Sequence, residues 1–302
     1  MEYPVGLFVY NRPKHTYNTL LSLSKNYNSK KIDLYIFCDF CKKRDAIEME
    51  NVYKVKRIIH DQKWKICFKT VNIIEREKNF GLFNNVVQGA TYIFSKYNAA
   101  IFLEDDLETS KNFYNYMCEA LEQYETDNRI WGISGFTPNF KHISDTDDLF
   151  LIKRANSWGW ATWKKNWETI NWSCKQLSLN SSICKMLNDA GKDLKYLVLQ
   201  LNNEKIDSWA TIWCYYSVIY NKFTIYFKNT LVKNIGLDNS GTHSRKGKAT
   251  DKFVVEIEDN KSLKKNMDKV QFDSKINDLF NANFKVSLYS EIKWFFNIYH
   301  WR

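Results

Sequence analysis

Through residue 106 the chain alternates short apolar runs with stretches of helical spacing, and no other feature constrains the fold as much. Residues 5–10 are an apolar run stopped by Asn11-Arg12-Pro13, the pattern of a buried strand that ends in a loop. Residues 32–37 repeat the pattern and close at Cys38-Asp39. Residues 67–73 give a third run, and residues 99–103 a fourth that is wholly apolar. Between them, 16–26 carries Leu20, Leu21 and Leu23, 45–59 reads as a charged amphipathic helix, and 83–97 spaces Val86, Val87, Ala90, Ile93 and Phe94 helically. This β-α-β-α-β-α-β order predicts an α/β fold: a mostly parallel sheet flanked by helices, with right-handed crossovers. In such sheets a ligand binds beyond the carboxyl ends of the strands.

The fourth run stops at Glu104-Asp105-Asp106. Three carboxylates at the end of a buried strand are costly unless positive charge offsets them. A divalent cation does so, and oxygen ligands suit Mn²⁺ or Mg²⁺. The competing reading is an acidic loop or a cap for the helix predicted over 110–124. No Gly-x-x-x-x-Gly-Lys-Ser/Thr and no Gly-x-Gly-x-x-Gly is present, so phosphate-loop and dinucleotide readings have no support.

Composition bounds the rest. At 44% hydrophobic and 26% charged, the 302 residues can bury a core, which excludes a disordered chain. The 16% aromatic content, with 11 Trp, serves cores but also carbohydrate and membrane-surface sites. The net charge of +10 favours anionic partners without choosing among them. Seven scattered cysteines read as reduced thiols, and the lone Cys38-Asp-Phe-Cys41 as a strand-end coincidence. With no signal-peptide pattern at the N-terminus and no long apolar run, the expectation is a cytoplasmic chain, at most peripheral to a membrane.

The ordered series Asn11-Arg12-Pro13, Asp39, Asn79-Phe80-Gly81-Leu82 and Phe102-Leu-Glu-Asp-Asp-Leu107 resembles nucleotide-sugar glycosyltransferases of the A fold. The Glu-Asp-Asp-Leu form is most similar to the N-acetylglucosaminyltransferase I family and bacterial surface-polysaccharide sugar transferases. The likeness continues through Ile133-Ser-Gly-Phe136, Ser157-Trp-Gly-Trp160, Ile206-Asp-Ser-Trp209, Leu231-Val-Lys-Asn-Ile-Gly236 and Ser240-Gly-Thr-His243. It implies a catalytic domain over 1–245, with 1–110 holding the nucleotide sugar and 111–245 meeting the acceptor. A basic, aromatic extension follows over 246–302.

What the resemblance implies is a metal-dependent, inverting transfer of sugar from a UDP-sugar to a glycan. The setting it suggests is lipopolysaccharide or capsule assembly, with the acceptor on a lipid carrier. Arg12 and Asp39 would hold the uracil ring, a guanidinium fork and a carboxylate acceptor being suited to it. Asn79 and Gly81 would form the donor-side loop, where a simple turn is the other reading. Glu104 and Asp105 would face ribose and sugar hydroxyls, and Asp106 would bind the metal bridging the phosphates. Asp207 would take the acceptor's proton, unless it caps the helix predicted over 209–220, where Ser208 competes; Glu204 is the reserve. Trp158 and Trp160 would wall the sugar site, Trp163 and Trp167 fitting a core better. His243 would contact phosphate or metal, or be an ordinary loop histidine.

Residues 285–302 mix Trp294, Phe295, Phe296, Ile298, Tyr299 and Trp301 with Lys293 and Arg302. That suits either an interfacial segment on anionic lipid or a terminal helix packed on the body. Two other functions compete. A sugar-phosphate nucleotidyltransferase would use a similar carboxylate–metal sheet but needs a Gly-rich first loop that 9–13 lacks. A nucleic-acid-binding protein fits the charge, yet no Lys/Arg cluster interleaves with aromatics as such motifs require.

Overall fold

A computed structural model describes residues 1–42, 45–139, 148–174, 176–237, 253–257, 259 and 270–286. In chain order the elements are β1 (Val5–Val9), α1 (Pro13–Ser24), β2 (Asp33–Cys38), α2 (Ala46–Ile59), α3 (Lys63–Cys67), β3 (Thr70–Glu75), α4 (Gly81–Phe94), β4 (Ala99–Glu104), β5 (Leu107–Thr109) and α5 (Phe113–Gln123). The second half holds β6 (Ile130–Ser134), β7 (Leu149–Ile152), β8 (Trp160–Trp163), α6 (Lys164–Trp167), α7 (Ser181–Asp189), α8 (Leu194–Asn202), α9 (Trp209–Ile219), β9 (Phe223–Phe227), β10 (Val232–Asn234) and α10 (Ser274–Asn281).

Eight strands form one sheet in the order β3-β2-β1-β4-β8-β6-β9-β7, and β10 pairs with β5 in a small second sheet. The first four are mutually parallel, as the strand-helix alternation predicts. Beyond β4 the sheet is mixed: β8 runs antiparallel to both β4 and β6, β6 and β9 are parallel, and β7 is antiparallel to β9. Four of the seven described strand pairings in this sheet are parallel, three of them in the first half.

Pleat alternation sorts the core into two faces. Val5, Leu7, Val9, Leu34, Ile36, Ile101 and Leu103 make one face aliphatic. Phe8, Tyr35, Phe37 and Phe102 make the other aromatic, under α4 and α9. Stacked rings fill that second face, from Phe37–Phe8 at 5.5 Å to Phe102–Trp160 at 4.4 Å and Trp160–Trp213 at 5.2 Å. The rings need room, and Gly89 supplies it: a Cβ there would lie 2.6 Å from Phe8 Cε1. Much of the aromatic excess is thus core, not ligand surface.

Part of the region expected to form a separate extension is fixed to the body. Phe280 of α10 is buried against Phe150 and Tyr226. Asn277 accepts the Lys153 N–H at 3.1 Å and donates to the Asp189 carbonyl at 2.9 Å. Arg154 grips Asp193 with two hydrogen bonds, at 2.7 and 3.0 Å, while lying 3.8 Å from the centre of the Phe284 ring. The aromatic residues at 294–301 lie outside the described residues.

Candidate active site

Four loops meet where β1, β2, β3 and β4 end, bringing together residues 10–12, 39–40, 76–81 and 104–106. Arg12 Nη1 lies 2.8 Å from Asp106 Oδ2 and 3.9 Å from Asp105 Oδ1. Asp105 accepts the Tyr10 backbone N–H at 3.3 Å, and its carbonyl accepts the Thr19 hydroxyl at 2.8 Å. Residue 105 thereby laces the ends of β1 and β4 to α1.

The chain after β10 closes this corner. Ile235 N–H donates to the Asp106 carbonyl at 2.8 Å. A Cβ on Gly236 would stand 2.2 Å from Asp106 Oδ2 and 2.8 Å from Arg12 Nη1, so only glycine lets the backbone pass here.

Burial, then repulsion from Asp106, pushes the Glu104 and Asp105 carboxyls well above the ordinary carboxylate range. Arg12 offsets this only in part. The corner is therefore short of positive charge, and its donors are all oxygen, the set that suits Mg²⁺ or Mn²⁺. Among the described residues no group of three or more His, Cys, Asp or Glu side chains could hold an ion unaided. A dication fits this corner with a ligand's oxygens completing its shell, and it would have to share or displace Arg12.

Arg12 and Asp39, both expected at a uracil ring, have separate protein partners: Arg12 lies against the acids. Asp39 is 4% exposed and its acceptor capacity is spent on the protein. Its Oδ1 accepts the N–H groups of Phe40 at 2.9 Å and Phe80 at 2.8 Å; its Oδ2 accepts Gly81 N–H at 2.9 Å and Asn79 Nδ2 at 3.2 Å. A carboxylate has about four good acceptor sites, and all are taken. Phe80 at the N-cap of α4 makes no side-chain cap, so Asp39 caps that helix from another strand. Burial pushes its carboxyl up, with those N–H groups and Arg76 pulling the other way.

Asn79 and Gly81 lie at this corner as parts of the staple. Asn79 Nδ2 also donates to the Phe40 carbonyl at 2.6 Å. Gly81 sits at φ +73°, a left-handed conformation that L side chains rarely adopt, although a Cβ would meet nothing within 4 Å.

Sequence reasoning missed Arg76. It follows β3, lies 4.7 Å from the Phe80 ring centre, and donates through Nε to Asn85 Oδ1 at 3.0 Å. Its Nη2 is buried without a hydrogen-bond partner among the described residues, and burial lowers its pKa. An arginine N–H left unpaired beside a ligand edge is costly unless a ligand completes it. In the sequence it sits inside Glu75-Arg76-Glu77-Lys78, which reads as a solvated charge run.

The two tryptophans expected to wall the sugar site part company. Trp160 is 2% exposed, ringed by Phe102, Trp167, Trp209 and Trp213, so neither indole face is open to a sugar. Trp158 is half-buried on the opposite face, edge-on to Phe136 at 4.6 Å. Gly159 between them has φ +62°, which breaks the strand alternation. Since β8 runs antiparallel to β4 with Trp160 opposite Phe102, the chain at 158 passes the end of β4 that carries the acids.

Ser208, not Asp207, caps α9, its hydroxyl accepting Thr211 N–H at 3.2 Å. Asp207 is exposed just before that cap, and Trp209 packs on Trp160 at 5.2 Å. Glu204 ends α8 in a left-handed conformation, φ +56°, with its N–H on the Leu201 carbonyl at 2.9 Å, which gives it a helix-terminating role. His243 lies outside the described residues.

No family model matches the sequence, and no curated protein matches it. Several solved structures align with part of it. The Staphylococcus aureus TarS 1–349 structure aligns at 10% identity and TM-score 0.43, covering 77% of this chain and 59% of that one. The mannosyltransferase PcManGT from Pyrobaculum calidifontis, in complex with GDP-Man and Mn²⁺, aligns at 9% identity and TM-score 0.38, covering 56% and 46%. The galactosyltransferase LgtC with donor and acceptor sugar analogues aligns at 8% identity and TM-score 0.38, covering 74% and 72%. The chain thus spans well under two thirds of TarS and PcManGT, and at these identities and scores the likeness assigns it no activity.

Proposed function

We propose that this chain is a metal-dependent glycosyltransferase moving a sugar from a UDP-sugar to a glycan acceptor, with inversion at the anomeric carbon. The acid triplet carries this reading. It stands at the carboxyl edge of four parallel strands, short of positive charge. A dication would supply the charge that the corner lacks, and the oxygens of a nucleoside diphosphate would complete its shell.

Asp106, with Asp105 behind it, would hold Mn²⁺ or Mg²⁺, which offsets the negative charge gathering on the departing diphosphate. Arg12, released from Asp106, would offer its guanidinium to the phosphates. Arg76, whose Nη2 is buried without a partner among the described residues, would reach the base or ribose on a shift of its side chain, and the Asp39 staple would fix the loop at 79–81 against which the donor would lie. Trp158 offers an apolar surface for the sugar or acceptor. Asp207, as general base, would take the acceptor hydroxyl's proton while that oxygen attacks from the side opposite the phosphate. The acceptor would be a lipid-linked glycan of bacterial surface polysaccharide, a reading that rests on the sequence resemblance alone. Nothing in the geometry favours nucleotidyl transfer or nucleic-acid binding over this.

The test is a screen of UDP-sugars for hydrolysis and transfer, with and without Mn²⁺. Asp207→Asn is expected to bind UDP normally and to lose transfer by roughly 10²–10⁴-fold, the usual contribution of a general base. Transfer by Asp207→Asn at the parent rate would remove that residue from the mechanism.

A further inference from the structure

We propose that the outer face of α1, the 3-10 turn at Ser29–Lys31 and α3 together form a docking surface for an anionic lipid bilayer. Lys14, Tyr17 and Lys25 are exposed and spaced to share one side of α1. Tyr17 leans edge-on to Trp64 of α3 at 6.1 Å, and Lys63 Nζ lies 4.5 Å from the Tyr17 ring centre and 4.6 Å from that of Trp64. Lys30 donates to the Ile66 carbonyl, tying the turn to α3. These contacts make one continuous patch.

Its chemistry is two-fold. Ile66 is 70% exposed and Tyr27 65%, so apolar and amphipathic groups project from it. Around them, Lys14, Lys25, Lys31 and Lys65 have no ion-pair partner among the described residues. The neighbouring acids are already taken, Asp61 by Lys63 and both Glu2 and Asp33 by Lys69. Uncompensated lysines ringing exposed isoleucine and tyrosine are what an anionic headgroup layer over hydrocarbon would bind. A phosphate backbone could satisfy the lysines and Tyr27 could stack a base, but nucleic acid leaves the exposed aliphatic Ile66 unmatched, whereas hydrocarbon takes it up. Charge and apolar exposure together therefore favour lipid over RNA.

The placement has a consequence. Helix α1 runs from Pro13, next to Arg12, to the turn before β2, so the patch lies mainly at the amino ends of the strands and the acid corner at the other end of that helix. Access to a lipid-borne acceptor rests on the proposed transfer reaction; the docking itself does not.

The experiment is co-sedimentation of the full chain with phosphatidylcholine vesicles, with and without phosphatidylglycerol, across a salt series. Lys30→Gln and Lys65→Gln together are expected to weaken binding to the anionic vesicles roughly thirtyfold, at about fivefold per lysine near the surface. Ile66→Ser is expected to remove the part of the binding that survives high salt. All three side chains are exposed, and an unchanged melting temperature with unchanged UDP binding shows the fold intact. Parent-like sedimentation of the triple variant overturns the proposal, as does equal binding to neutral vesicles. Tighter binding to single-stranded RNA than to anionic vesicles at the same salt overturns it too.

Discussion

Replacing Asp39 separates a fold-holding role from a ligand-binding one. In Asp39→Ala, the N–H groups of Phe40, Phe80 and Gly81 and the Asn79 amide lose their acceptor. Hydrogen bonds to a charged group contribute about 1.5–3 kcal/mol each, so the four are gross worth on the order of 8 kcal/mol. Releasing the carboxylate from burial returns several kcal/mol of this, and water reaches the half-exposed loop donors. Loss of a helix cap alone costs about 1 kcal/mol. The net expectation is a destabilisation of about 3 kcal/mol, read as a drop of roughly 5 °C in melting temperature for a chain of 302 residues. Asp39→Asn should fall nearly as far, because its amide turns a donor toward backbone donors. Urea unfolding, with UDP binding measured on the folded fraction, is the assay. If Asp39→Ala melted within about 1 °C of the parent while UDP binding collapsed, the staple would be wrong and the carboxylate would belong to the nucleotide.

Two further outcomes follow from the acid corner. Glu104 and Asp105 have carboxyls raised to about 8 and about 7, above their unfolded values near 4, so the stability they contribute is whole below about pH 4 and is lost progressively as pH rises from there to about 8. Without metal, thermal melts should show stability falling across that window; Mn²⁺ with UDP, or Glu104→Gln, should flatten the slope, and a flat parent profile would contradict the charge shortage. Gly236→Ala forces a methyl against Asp106 Oδ2, and should cost about 1–3 kcal/mol in urea unfolding while weakening UDP–Mn²⁺ binding. A neutral outcome would mean that the Arg12–Asp106 pair turns aside freely.

How much was legible in the sequence depended on whether a signal was local. Strands β1, β2 and β4 were readable because burial on both faces makes them unbroken apolar runs that end in Asn, Asp or Glu. The third strand starts later than its pattern suggests, since Lys63–Cys67 winds into a helical turn around buried Trp64. The mixed pairing past β4 is a matter of long-range contacts that periodicity does not encode. Within the site, the acid triplet was legible from position alone. The partners of Arg12 and Asp39 were not, because they lie about 95 and 40 residues away along the chain. Trp158 and Trp160 look equivalent until the left-handed Gly159 between them sends one into the core and leaves the other at the edge.

The most direct measurement is a calorimetric titration of UDP into the parent chain and into Asp106→Asn, each with and without Mn²⁺. Binding that is strengthened by Mn²⁺ in the parent, and indifferent to it in Asp106→Asn, is the predicted result. Identical Mn²⁺ dependence in both chains, or no UDP binding by the parent under either condition, would contradict a dication and diphosphate site at the end of β4.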